Sequence, residues 1–415
     1  MNNPRPPLKS LDDALVELLG FATFLPDVES VSTFDADGRV LAQDLVSALH
    51  VPPQDNSAMD GYAVRCADIA QTSGLLTVTQ RIAAGSSGVP LESMSAARIF
   101  TGAPIPPGTD AVVMQEDCEV LPADDAQACM RVRIKSAPTP GQWIRRAGED
   151  VTLGTVVLSK GTRLTPASLG LAASIGMHLL PVLRRPRVAL FSTGDELVMP
   201  GDVAPAQMKP GSIYNSNRFF LRALLVRLGC EVTDLGIVPD QLDATVQALQ
   251  KAAQHHDLIL TSGGVSVGEE DHIKPAVQSL GSLNLWQIAI KPGKPFAYGR
   301  VQAAHFIGLP GNPVSSFVTF LLLVRPFLLK LQGATDVAPK SIALPAHFNW
   351  TKGDKRREFL RVKRNAAGGL DLFANQSAGV LTSIVWGDGV VDNLPGQTIT
   401  QGDMVWFIPF SEMLG

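Results

Sequence analysis

The sequence predicts a multidomain α/β plus β protein, in which a doubly wound, mostly parallel sheet domain is set among β-rich units. Three observations predict it. Residues 183–333 alternate short apolar runs with amphipathic stretches, the rhythm of strands joined by crossover helices. Residues 30–182 and 334–415 instead carry short apolar segments broken by glycine, proline and aspartate, the rhythm of compact β modules. At 415 residues, with 45% apolar and 18% charged residues, the chain is long enough for several cores and too apolar to be disordered.

The first element is a helix over 8–20, where Leu11, Leu15, Leu18 and Leu19 share a face, Ser10 caps the start and Gly20 stops the end. LLTVTQRIA, ARIFTG, DAVVMQE and RVRIKS then read as strands of small β modules. VALF at 188–191 reads as a buried strand. A helix at 216–228 follows, with Phe220, Leu221, Leu224, Leu225 and Leu228 on one face and Gly229 as its stop. VTDLGIV is a strand, LDATVQALQKAAQ a helix with Asp240 near its start, LILT a strand, DHIKPAVQSL a helix and LWQIAI a strand. HFIGLP is a further strand, and PVSSFVTFLLLV a helix opened by proline. SIALPAHF, REFLRVKR, GLDLFAN and MVWFIPF complete a C-terminal β unit.

Bulk properties exclude several classes. The formal net charge of −4 gives no basic surface for nucleic acid or an anionic membrane, so any anion site is local. Cys66, Cys118, Cys129 and Cys230 form no CxxC pair, which argues against a disulfide scaffold or zinc knuckle and suits a reducing cytoplasm. The run FVTFLLLV at 317–324 is too short to span a bilayer, and MNNPRPPLKS lacks an apolar signal core. A cytoplasmic protein with no nucleic-acid or membrane partner is expected.

Chemistry is expected at the carboxyl ends of the parallel strands, where such sheets bind ligands. In TSGGVSVGEEDHIKP at 261–275, Gly263 and Gly264 let the backbone approach a ligand, and Ser262 and Ser266 add hydroxyls. Glu269, Glu270 and Asp271 suggest a Mg2+ bridge or a held proton; an acidic first helical turn has the same composition. FSTGDEL at 191–197 offers Glu196, in a pattern that helix caps also use. GLPGNPVSS at 308–316 places Gly311, Asn312 and Ser315 at a helix start, and KPGKP at 291–295 projects Lys291 and Lys294. Two fixed lysines beside glycine-rich loops favour an oxyanion or phosphate, and no GxxxxGK[ST] P-loop is present. In the β-rich half, PPQDNSAMDGYAV at 52–64 and TGAPIPPGTDAVV at 101–113 suit rigid turns as well as function. Arg361 and Ser377 read as anion contacts or as surface residues. The histidines form no cluster, so charge stabilisation is favoured over nucleophilic catalysis.

Seven segments in one order carry a resemblance: PPQDNSAMDGYAV, TGAPIPPGTDAVVMQED, IRRAGEDV, FSTGDEL, SGGVSVGEEDHIK, KPGKPFAYG and GLPGNPVSSF. Together they resemble the molybdopterin molybdenumtransferase family, which includes the C-terminal domain of gephyrin, over essentially the whole chain. The resemblance implies a molybdopterin-binding fold in four domains: 1–48 with 148–182 as a helix and small β domain, 49–147 as an inserted barrel-like domain, 183–333 as the doubly wound domain, and 334–415 as a C-terminal β-barrel. It implies insertion of molybdenum from molybdate into adenylylated molybdopterin, received with copper on its dithiolene. AMP is released with the help of Mg2+. Asp271, Asp240, Glu196 and Lys291 match catalytic positions, with Glu196 and Asp271 toward the metal. Ser262, Gly263, Gly264, Ser266, Lys294, Gly311, Asn312, Ser315, Arg361 and Ser377 match substrate-binding positions. Asp60, Thr101, Arg145 and Asp150 match a second cluster on the β-rich half. The resemblance further implies a homodimer whose site is shared between chains, a molybdopterin-adenylating protein upstream and molybdoenzyme apo-proteins downstream. A non-catalytic scaffold or cofactor carrier of the same fold is the alternative. The chain departs from many bacterial members at Gln287, where they carry lysine.

Overall fold

The structure is a computed structural model that describes residues 8–121, 130–264 and 272–414. Its centre is a six-stranded sheet. In chain order the elements are β1 (Arg187–Thr193), α1 (Ser216–Arg227), β2 (Glu231–Val238), α2 (Leu242–Ala253), β3 (Leu258–Ser262), α3 (Ile273–Leu280), β4 (Gly281–Gln287), β5 (Pro295–Val301), β6 (Ala304–Leu309) and α4 (Pro313–Thr319). The sheet order is β2-β1-β3-β6-β5-β4. The first three pairings are parallel and the last two antiparallel. Val188, Leu190, Leu258, Leu260 and Ile307 bury one face, and Ala189, Phe191, Ile259 and Phe306 bury the other. A strand covered on both sides can be apolar at every position, which is why VALF and LILT show no alternation.

Two local expectations are corrected. LWQIAI is not one strand: β4 ends at Gln287, and Ile290–Lys291 leaves the sheet to pair in parallel with Arg357–Glu358 of the C-terminal unit. The amides of Ile288 and Ala289 turn aside to Lys294 and Lys9. The helix that opens at Pro313 does not stop before Arg325-Pro326. It runs on to Leu331 through a π-helical stretch, Phe320–Val324. Proline lacks the amide that an α-helix needs, and a wider turn absorbs that loss. The 19 residues Pro313–Leu331 are apolar enough to cross a membrane by length and composition, yet 89% of them are buried inside the protein.

Helix Leu11–Phe21, grouped by sequence with the first β unit, packs into the core of the α/β unit instead. Leu11, Ala14 and Leu18 are buried there, and Phe21 stacks on Tyr298 at 4.5 Å. Strand Val28–Ser32 pairs with Leu179–Leu183 around a separate small core of Leu41, Leu45, Leu164 and Val182. Between them in sequence lies a six-stranded mixed sheet at 61–134, and all six of its strands feed one core that includes Tyr62, Leu76 and Val132. The C-terminal strands run Leu370–Leu372, Arg357–Arg364, Gly389–Asn393, Met404–Pro409, Ile342–Pro345. A bridge between Ala346 and Leu370 closes the ring into a barrel around Leu360, Val391 and Phe407.

His305 on β6 is 6% exposed. Arg300 Nη1 lies 3.0 Å from its Nδ1 and 2.9 Å from its Nε2, and the Tyr298 hydroxyl lies 2.9 Å from Nδ1. Burial first, then the charge of Arg300, pushes its pKa from 6.5 down to about 4, against the weaker pull of Asp257. The unfolded chain therefore binds a proton in this window that the folded chain refuses. The stabilisation is full above pH 6.5 and is lost as pH falls toward 4, by about 3 kcal/mol. The unfolding midpoint is expected to fall between pH 7 and about 4.5, and to fall less in His305→Gln. Identical pH slopes in the two proteins would contradict this.

Candidate active site

At the carboxyl ends of β1, β3 and β6 lies a cavity of about 600 Å³. β1 contributes Thr193, β3 contributes Ser262 and Gly263, and the β6–α4 turn contributes Gly311, Asn312 and Ser315. The turn after β3 must be glycine. Gly263 and Gly264 have φ of +93° and +67°, and a Cβ on Gly264 would stand 2.5 Å from the Ile273 side chain.

The start of α1 forms another wall, through Tyr214, Asn215, Ser216 and Asn217. Asn217 Nδ2 donates to Ser262 Oγ at 2.8 Å and to the Gly311 carbonyl at 2.7 Å, so one buried amide ties the β3 end to the β6–α4 turn. Asn215 caps α1 by accepting from the Arg218 amide at 3.3 Å. Its Nδ2 is a buried donor with no acceptor among the described residues, and Asn215 is only 2% exposed. Both α1 and α4 begin at this cavity, so two positive helix ends meet an orphaned amide donor. That combination suits an oxyanion.

Of the residues singled out from sequence, Glu196, Ser262, Gly263, Gly311, Asn312 and Ser315 line this one cavity, and Gly264 adjoins Gly263. Lys294 precedes Pro295, which also lines it. Glu196 is exposed and curls over Gly194, where a Cβ would approach its Oε2 to 2.5 Å. Asp240 follows the β2 end, half-buried and not in the cavity wall. Ser266 and Asp271, with Glu269 and Glu270, lie outside the described residues. Among the described residues no three His, Cys, Asp or Glu side chains gather as a metal cluster.

Lys291 is not a free ammonium. Its Nζ lies 3.1 Å from Glu358 and 3.3 Å from Asp354, over the Trp350 ring. The Arg356 guanidinium, more than Lys291, holds the Asp354 carboxyl well below the usual range. Arg361 is not a surface residue: it is 1% exposed. It donates to Ser383 Oγ at 3.2 Å and to the carbonyls of Phe359 and Ser377 at 3.1 and 3.4 Å. Burial pushes its guanidinium down to about 10, and no described carboxylate pairs with it. The loop carrying Ser377 reaches the cavity, since the Val314 amide donates to the Ala378 carbonyl at 3.0 Å and Gly379 lines the wall.

The second predicted cluster sits on the inserted sheet. Asp60 accepts from the Thr101 amide and hydroxyl, each at 2.8 Å, and these bonds lower its pKa. Arg145 and Asp150 are exposed, and neighbouring Arg146 pairs with Asp55 at 2.6 Å. Arg81 and Arg98 both lie 4.6 Å from the Phe100 ring centroid. None of the described residues of 49–147 lines the strand-end cavity. The sequence reading missed Asn215 and Asn217; Asn-Ser-Asn at a helix start was the available signal. It also missed Glu358 and Asp354, which nothing local in the sequence connects to Lys291.

A doubly wound sheet with an oxyanion-suited cavity at its strand ends defines the broad class, and similarity to known proteins narrows it. The family model "MoeA N-terminal region (domain I and II)" matches residues 9–176, and "Probable molybdopterin binding domain" matches residues 189–330. The molybdopterin molybdenumtransferase of Haemophilus influenzae is 41% identical over 98% of this chain and 100% of its own length. That of Nostoc sp. is 36% identical over 86% of this chain and 82% of its own. The crystal structure of a molybdopterin biosynthesis MoeA protein from Pyrococcus horikoshii superposes with a TM-score of 0.82 at 29% identity, covering 97% of this chain and 100% of that one. This chain belongs to the molybdopterin molybdenumtransferase family.

Proposed function

We infer that the chain transfers molybdenum to molybdopterin in molybdenum cofactor biosynthesis, taking adenylylated molybdopterin and molybdate and releasing AMP. The observation that carries this reading is the strand-end cavity, where two helix starts, the Gly263–Gly264 turn and Asn215 Nδ2, unpartnered among the described residues, all present donors. These donors hold the pyrophosphate of the adenylylated pterin. Ser266, Lys291, Lys294, Ser315, Arg361 and Ser377 are assigned to molybdate, a tetrahedral dianion, or to the pterin phosphate. Glu196 gives a hard oxygen donor at the rim, and Mg2+ needs only one or two carboxylates when substrate phosphates complete its shell, so the donor chemistry fits. When bound, the ion offsets charge on the phosphates; Asp240 and Asp271 are assigned to the same group. A homodimer is proposed, with Asp60, Thr101, Arg145 and Asp150 of a second copy completing the cavity. The cytoplasm is the proposed location, with an adenylating protein upstream and molybdoenzyme apo-proteins downstream.

The test is AMP release from adenylylated molybdopterin. AMP is expected to form in a molybdate-dependent manner, to stop on chelation of divalent cations and to be lost in Asp271→Ala. Pterin binding without AMP release would favour a scaffold or carrier, and normal AMP output from Asp271→Ala would remove that residue from the reaction.

A further inference from the structure

We propose that a cleft at the far end of α1 is a second oxyanion site, taking phosphate or a phosphomonoester. This rests on no reading of the strand-end cavity. The cleft has a volume of about 410 Å³, and Arg39, Arg163, Arg185 and Arg227 line it with Gly38 and Leu414. Asp37, on its exposed rim, is the one carboxylate among the described lining residues. Arg39 is answered by Glu29, which leaves three guanidiniums without a described carboxylate partner in so small a volume, and these call for an anion.

The arginines are built in rather than scattered on a surface. Arg39 is 7% exposed and held by Glu29 at 2.5 Å and the Leu183 carbonyl at 2.9 Å. Arg163 is half-buried and fixed by a bond from Nε to the Gly38 carbonyl at 3.4 Å. No described carboxylate pairs with Arg163, Arg185 or Arg227. The nearby acids are engaged elsewhere: Arg184 takes both Asp27 and Asp257, at 2.6 and 2.7 Å. Burial first, then the charge of Arg163, lowers the pKa of the buried Arg325, against the opposing pull of Asp336 and Glu412. Guanidinium forks match the oxygens of a tetrahedral dianion in paired hydrogen bonds.

Three parts of the chain meet here. Gly38, Arg39 and Arg163 come from the first β unit, Arg185 and Arg227 from the α/β unit, and Leu414 from the C-terminal helix. An anion would join them and stabilise the whole. Helix α1 has 12 residues, begins at the strand-end cavity and ends at Arg227, so the two sites stand about 18 Å apart along it.

Thermal unfolding of the full chain tests the proposal. Sodium phosphate, against sodium chloride of equal ionic strength, is expected to raise the midpoint by roughly 2 °C once phosphate is about ten-fold above its Kd. Arg163→Gln/Arg185→Gln should lose the shift. Arg227→Gln should lose part of it; this arginine is exposed and its side chain makes no bond to another described residue, so the fold is kept. Isothermal titration with phosphate reads binding directly in the same proteins. AMP distinguishes the source. Heat from AMP that disappears in the double variant assigns a phosphomonoester; loss of the inorganic phosphate heat alone assigns the free ion. An equal shift in wild type and double variant, or none beyond that of chloride, overturns the site.

Discussion

In a Lys291→Ala chain, molybdenum transfer is expected to fall about 100-fold and unfolding free energy by about 2 kcal/mol; adding Glu358→Gln should return most of the stability and none of the activity. The reason lies in the carboxylate behind the lysine. Glu358 is 1% exposed. Its Oε1 accepts from Lys291 at 3.1 Å, and its Oε2 from Trp350 Nε1 at 2.7 Å and the Asp354 amide at 3.2 Å. Removing the lysine leaves a buried negative charge without its cation, a loss of about 3–5 kcal/mol for a fully buried pair. The Lys291 side chain is 38% exposed, so water replaces part of the ammonium and the loss is smaller. Glutamine keeps the acceptor for Trp350 and removes the stranded charge. Turnover does not recover, because the ammonium proposed to face molybdate is still missing. Chemical denaturation and AMP release, measured on both proteins, separate the two effects. Wild-type turnover in Lys291→Ala would take this lysine out of the anion site.

Arg361→Met is expected to do the reverse: turnover falls about 100-fold while unfolding free energy stays within about 1 kcal/mol of wild type. Arg361 is among the largest fully buried side chains, and its charge has no described carboxylate partner. Burial disfavours the cation, which is what lowers its pKa to about 10. An apolar side chain of similar length avoids that penalty. It forfeits donors to the carbonyls of Phe359 and Ser377, whereas the Ser383 hydroxyl still donates to Val380 at 2.7 Å. The two terms nearly cancel. A guanidinium that contributes so little to folding would fit the anion-binding role proposed for it. Destabilisation by several kcal/mol with turnover per folded molecule unchanged would make Arg361 purely structural.

The strand–helix alternation of 183–333 was legible because strands buried on both faces leave unbroken apolar runs, as in VALF and LILT. β5 was not legible, since Pro292, Gly293 and Pro295 read as a turn, while Pro295 in fact opens the strand. The path of Ile290–Lys291 into the C-terminal sheet was equally hidden, because its partners Arg357 and Glu358 lie 67 residues away. In the site, glycine turns and helix starts announced themselves, because backbone conformation is written in a few adjacent residues. Asn217 did not, because its two acceptors, on Ser262 and Gly311, lie 45 and 94 residues further along.

By itself the sequence determined the local chemistry: which turns need glycine, where helices begin, and which segments carry hydroxyls, lysines and acids. It also carried the family, through seven motifs in one order. Only the tertiary structure decided charge state and company. It set Lys291 against two carboxylates, sank Arg361 with no described carboxylate beside it, left an amide of Asn215 unanswered among the described residues, and gathered four arginines at the end of α1. Electrostatic character depends on solvent exclusion and on neighbours brought close by folding, and neither is a function of distance along the chain.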